Sequence, residues 1–97
     1  MAVLPKLYAY DFESIDVDGT SKALDTIKRA TAYQVSIRLE DAPARYRKDG
    51  GDPTVDGTIF YPAESDTLEG DEINNFRITK AGTVNATLKV EFRKRRV

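Results

Sequence analysis

Val84-Asn85-Ala86-Thr87-Leu88-Lys89-Val90-Glu91-Phe92 is the stretch that decides the fold. Val84, Ala86, Leu88, Val90 and Phe92 share one parity; Asn85, Thr87, Lys89 and Glu91 share the other. A period of two marks a strand with one dry face and one wet face. A helix would scatter the five apolar side chains around its axis. Burial of each large apolar member contributes roughly 1.5–3 kcal/mol. That is an upper figure, because an unfolded chain already hides some surface. It is enough to set register, since a slip of one residue would drive Lys89 and Glu91 into the core.

Tyr33, Val35, Ile37 and Leu39 alternate in the same way with Gln34, Ser36, Arg38 and Glu40, which predicts a second strand. Near the start, Tyr8, Tyr10 and Phe12 alternate with Ala9 and Asp11. A strand over 7–13 with an aromatic face is expected, extended across a bend by Ile15 and Val17. Residues 1–6, with Pro5, read as an extended arm. Thr20 to Ala32 allows two readings: a short helix capped by Thr20 or Ser21, or a short strand at Ser21–Asp25. The β neighbours on both sides favour the strand.

Ala44-Arg45-Tyr46-Arg47 reads as a short strand that pairs with the second or turns to another sheet. Asp49-Gly50-Gly51-Asp52-Pro53 is the densest turn signal in the chain. Thr58–Tyr61 is a short apolar run ended by Pro62, and 63–67 reads as polar loop. Leu68, Ile73, Phe76 and Ile78 carry the next apolar face, with a turn at Gly70-Asp71. Lys80-Ala81-Gly82 is expected to close a hairpin onto the strand at 83–93. Turn signals at this spacing predict an all-β chain, a single antiparallel β-sandwich of about seven or eight short strands. Greek-key or jelly-roll connections stay open. The expected layout is an arm at 1–6, a sandwich at 7–93 and a basic end at 94–97.

The chain has 97 residues, 32 % of them charged, with a net charge of −1. That length suits one domain. That balance calls for neither nucleic acid nor membrane as partner. There is no cysteine and no histidine, which removes thiol chemistry, the commonest general base and the commonest metal ligand. No apolar run approaches the ~20 residues of a membrane helix, and the first residues do not read as a signal peptide.

Candidate sites have plain alternatives beside them. Asp49, Asp52 and Asp56, or Asp16 and Asp18, could offer oxygen ligands to calcium, but neither stretch has the twelve-residue loop spacing, and Asp-Gly is ordinary turn chemistry. No cofactor or metal is expected. Arg93, Lys94, Arg95 and Arg96 could hold phosphate, contact a neighbouring subunit or form a solvated tail. Arg45, Tyr46, Arg47, Lys48 and Asp49 make either a docking surface or an edge strand guarded by charge. Tyr8, Tyr10, Phe12, Phe60 and Tyr61 could stack on sugar rings, although core packing is the commoner use. No nucleophile–base pair and no phosphate-binding glycine loop is present, so an enzyme is not expected.

One stretch carries a resemblance. Arg45-Tyr46-Arg47-Lys48-Asp49-Gly50-Gly51-Asp52-Pro53-Thr54, then Gly57, then Asn75-Phe76-Arg77-Ile78, then Asn85–Phe92, resembles small virion proteins of tailed bacteriophages. In such proteins an arginine-bearing strand enters an Asp-Gly-x-x-Pro-Thr loop. A Phe-Arg-Ile strand and an Ala-x-Leu-x-Val-x-Phe/Tyr strand come next. The match covers roughly residues 20–93, with Ser21–Leu24 in the place of an early strand. The resemblance implies a non-enzymatic structural protein of the virion, made in the host cytoplasm. It implies a decoration or cement protein on the head, or a neck or tail component. Its partners would be the major capsid protein, other virion proteins and further copies of itself. Contacts would be made by Arg45, Tyr46, Arg47 and Asp49, and by the ends, Arg93 to Arg96 included. A small carbohydrate- or receptor-binding β module is the alternative.

Overall fold

The structure is a computed structural model that describes residues 7–95. The arm expected at 1–6, with Arg96 and Val97 of the basic end, lies outside the described residues. Nine elements succeed one another along them: β1 (Leu7–Val17), α1 (Thr26–Arg29), β2 (Gln34–Glu40), β3 (Ala44–Arg47), β4 (Thr58–Phe60), β5 (Ser65–Glu69), α2 (Asp71–Asn75), β6 (Arg77–Lys80) and β7 (Ala86–Arg95). The strands form two antiparallel sheets, one of four in the order β1-β7-β2-β5 and one of three in the order β4-β3-β6. The fold is therefore the all-β, sandwich-like arrangement that the alternation predicts.

β7 runs between β1 and β2 and is hydrogen-bonded on both sides. Ala86, Leu88, Val90 and Phe92 face inward and are almost completely buried. Val35, Ile37 and Leu39 of β2 face the same interior, in register with Phe92, Val90 and Leu88. Phe76, Ile78, Phe60 and Ala44 close it from the other side. Every buried side-chain nitrogen or oxygen among the described residues has a hydrogen-bond partner, as a low-dielectric interior demands.

The structure corrects several local expectations. β7 starts at Ala86, and Val84 is exposed in the preceding loop. β6 and β7 are not a hairpin: they belong to different sheets, and the link at 81–85 crosses between them. β7 also runs past Arg93 to Arg95, whose backbone pairs with Leu7. Residues 65–67, expected as loop, belong to β5, where Leu68 alone is buried; so polar a strand shows no alternation. The expected turn at Gly70-Asp71 opens α2, which buries Ile73. Ser21–Asp25 reduces to one bridge, Lys22 to Ile78, which covers the free edge of β6. The next element, α1, is capped by Asp25, whose Oδ1 accepts from the amides of Ile27 and Lys28 at 2.9 and 3.0 Å.

The aromatic face expected on β1 is split. The register with β7 shifts between Ala9 and Asp11, so Tyr10 is an extra residue. Tyr10 turns inward, its ring 6.4 Å from that of Phe92, and its hydroxyl donates to the Lys28 carbonyl at 2.6 Å. Phe12, two residues on, pairs with Glu91 on the outer face and is 61 % exposed.

Candidate functional site

β3 is the central strand of its sheet, flanked by β4 and β6. That removes the charge-guarded edge, one of the two readings that the sequence left open. Alternation along it divides the expected contact residues. Tyr46 points inward, its ring 5.0 Å from Phe60 and 5.9 Å from Phe76. Arg45 and Arg47 take the outer face, with Arg45 exposed. Arg45 therefore stands apart, whereas Tyr46, Arg47 and Asp49 line one concavity.

Beyond β3 the chain enters a buttressed loop. Arg47 Nε donates to Asp49 Oδ1 at 2.9 Å, and Nη2 donates to Oδ2 at 2.5 Å. Asp49 Oδ1 also accepts from the Gly51 amide at 2.9 Å. These donors hold the Asp49 carboxyl well below the usual carboxylate range, the Arg47 guanidinium being the largest cause. Gly50 has φ +86°, a left-handed conformation that suits glycine. Gly51 leaves room for Arg47: a Cβ there would lie 2.5 Å from Arg47 Nε and would displace that side chain. Asp52 Oδ1 accepts from the amide and hydroxyl of Thr54 at 2.9 and 2.7 Å. Pro53 is fully buried beneath the loop, while Val55 is 84 % exposed. The result is an exposed loop held at its base.

Beside it lies an open concavity of about 760 Å³, lined by Tyr46, Arg47, Lys48, Asp49, Asp56 and Glu72 among others. The Tyr46 hydroxyl donates to Asp66 Oδ2 at 2.8 Å, and Lys48 Nζ reaches the same oxygen at 2.9 Å. Burial and the Asp66 carboxylate push the Tyr46 hydroxyl up to about 12. Lys48 also faces Glu72 at 3.9 Å. Asp66 and Glu72 were invisible as site residues in the sequence, because β5 and α2 meet β3 only through the fold. Among the described residues no three acidic side chains gather as a metal-ligand set; Asp49 and Asp52 spend oxygens on the loop itself.

The basic end is likewise divided. Arg93 lies on the outer face, ion-paired with Glu91 and donating to Gln34 Oε1 at 3.1 Å. Lys94 turns the other way, its Nζ 4.5 Å from the centre of the Tyr10 ring. Alternation along β7 thus separates two residues that the sequence grouped as one patch. Of the aromatic residues considered for sugar stacking, Tyr10 turns inward and Phe60 is buried. Tyr8, Phe12 and Tyr61 keep exposed surface, the first two on β1 and Tyr61 just past the end of β4, so they form no common platform.

The outer face of the four-stranded sheet carries Phe12 among polar neighbours. Its rows read Phe12–Glu91–Ser36–Thr67 and Ser14–Lys89–Arg38–Ser65 across β1, β7, β2 and β5. Neither Phe12 on this face nor the pairing of Arg38 with Lys89 could be read from the sequence. Each residue was legible as strand, but their adjacency needs the pairing. Comparison with protein-family models, with curated proteins and with solved structures gives no match to this chain.

Proposed function

We propose that the protein is a non-enzymatic structural component of a tailed-bacteriophage virion that docks on the head surface as a decoration or cement protein. One coincidence supports the reading. The most distinctive part of the resemblance, Arg45 to Gly57, comprises the end of β3 and an exposed loop at 48–57 braced through Arg47, Asp49, Gly51 and buried Pro53. A loop ordered before binding loses little conformational entropy on docking. The sandwich beneath it has an apolar interior, and binding to neighbours would raise its stability by mass action. Major capsid protein and further copies of the chain are the expected partners.

The test is a mass-spectrometric count of the chain in purified particles. Head decoration expects on the order of hundreds of copies, set by capsid symmetry, and a neck or tail position about a dozen or fewer. Particles without the chain would end the virion reading.

A further inference from the structure

Arg38 and Lys89 lie directly opposite each other on the two central strands, β2 and β7, and both are exposed. Lys89 Nζ is 3.2 Å from Ser14 Oγ. Among the described residues neither cation enters an ion pair. Like charges directly opposed destabilise a sheet. Phe12 stands beside them, and together they line a shallow concavity of about 260 Å³ with Ser36, Val90 and Glu91. Two unpaired cations beside an exposed ring call for a partner with two carboxylates and an apolar group beside them.

The chain carries such a group itself. The amides of Val55 and Asp56 both donate to the Asp52 carbonyl, at 3.2 and 3.4 Å, so residues 52–56 form a single turn. Side chains one turn apart are about 5–6 Å apart at Cβ. Directly opposed strand residues are about 4.5–5.5 Å apart at Cβ. The Cβ atoms of Asp52 and Asp56 are therefore spaced like those of Arg38 and Lys89, with Val55 beside them. Asp52 Oδ2 makes none of the loop's own bonds, which all use Oδ1.

We propose that the Asp52–Asp56 turn of one copy docks on Arg38, Lys89 and Phe12 of a second copy. The carboxylates face the two cations and Val55 covers the Phe12 ring. A single copy cannot make this contact. The turn joins β3 to β4 in the three-stranded sheet, whereas the cations lie on the outer face of the other sheet. The contact is heterologous, so copies join head to tail into a ring or an open row. The proposal rests on the docking role of the 48–57 loop, but it needs no particle.

Sedimentation of the purified chain tests it, at about 50 mM and about 500 mM salt, where screening differs strongly. Self-association is expected at low salt and on the order of tenfold weaker at high salt. Arg38→Glu with Lys89→Glu removes it, and so does Asp52→Lys with Asp56→Lys. Mixing the cation-reversed variant with the acid-reversed variant pairs the two reversed surfaces with each other and the two unchanged surfaces with each other, and restores association between the two species. Circular dichroism checks that each variant is folded. Amide shifts on dilution, confined to the two surfaces, report the same contact in the unmutated chain. A wild-type chain monomeric at millimolar concentration, association unchanged by either reversal, or a mixture that does not associate overturns the proposal. Association in this manner by a chain absent from particles would remove the virion reading and keep this one.

Discussion

Arg47 and Asp49 meet through two parallel contacts, Nε to Oδ1 at 2.9 Å and Nη2 to Oδ2 at 2.5 Å, although only one residue separates them. Two fixed donors on one carboxylate define direction as well as distance. That pair closes the base of the loop that the proposed docking uses.

The pair makes the loop sensitive to acid. The Asp49 carboxyl is depressed in the fold, so its contribution is full above the ordinary carboxylate range of about 3.9. It is lost as pH falls through the lower folded value. NMR of the Gly51 amide, which donates to the same carboxylate, is expected to stay constant down to about pH 4 and to shift only below it. An amide that titrates at the ordinary value would show that the clamp does not form in solution.

Gly50→Ala places a Cβ on a residue with φ +86°. It is expected to cost about 1–2 kcal/mol. Gly51→Ala acts differently. Its Cβ would displace the Arg47 side chain, so the Arg47–Asp49 contact breaks while the sheets persist. Urea unfolding and hydrogen exchange separate the two: the first variant lowers the unfolding midpoint, and the second mainly raises exchange within 49–57.

Tyr46→Phe removes the hydrogen bond to Asp66. It is expected to destabilise by about 1–2 kcal/mol, as for a bond to a charged group at a half-buried site. In the wild type one tyrosine should ionise near 12. Because that value is raised, the stability it brings is full below about pH 10 and is lost as pH climbs through the folded value. Ultraviolet titration of wild type against the variant identifies the residue by the loss of that late step.

Lys89→Glu turns a like-charge pair with Arg38 into an opposite-charge pair. It is expected to stabilise the isolated fold by about 0.2–1 kcal/mol. Thermal unfolding measures this directly. A chain that gains stability and loses self-association would show that the opposed cations are kept for contact. The adjacent position on β7 gives the contrast. Leu88 faces inward and is fully buried, so Leu88→Ala should cost about 2–5 kcal/mol in the same experiment.

The all-β class was legible because its cause is local. Period-two alternation in Val35–Leu39 and Ala86–Phe92 needs nothing beyond the side chains of one segment to specify strands with a single dry face. The Asp49–Pro53 turn was legible for the same reason, since glycine and aspartate carry their backbone preferences with them. Tertiary structure alone decided the rest. It set β6 and β7, neighbours in sequence, in different sheets. It inserted Tyr10 as an extra residue in β1, which sent Tyr10 and Phe12 to opposite faces. It recruited the polar segment Ser65–Glu69 as a strand by pairing it with β2. It brought Asp66 to Tyr46 and Lys48, and Arg38 to Lys89. These are long-range pairings, fixed by the energy of the whole core and not by the preference of any one stretch, so no local pattern records them.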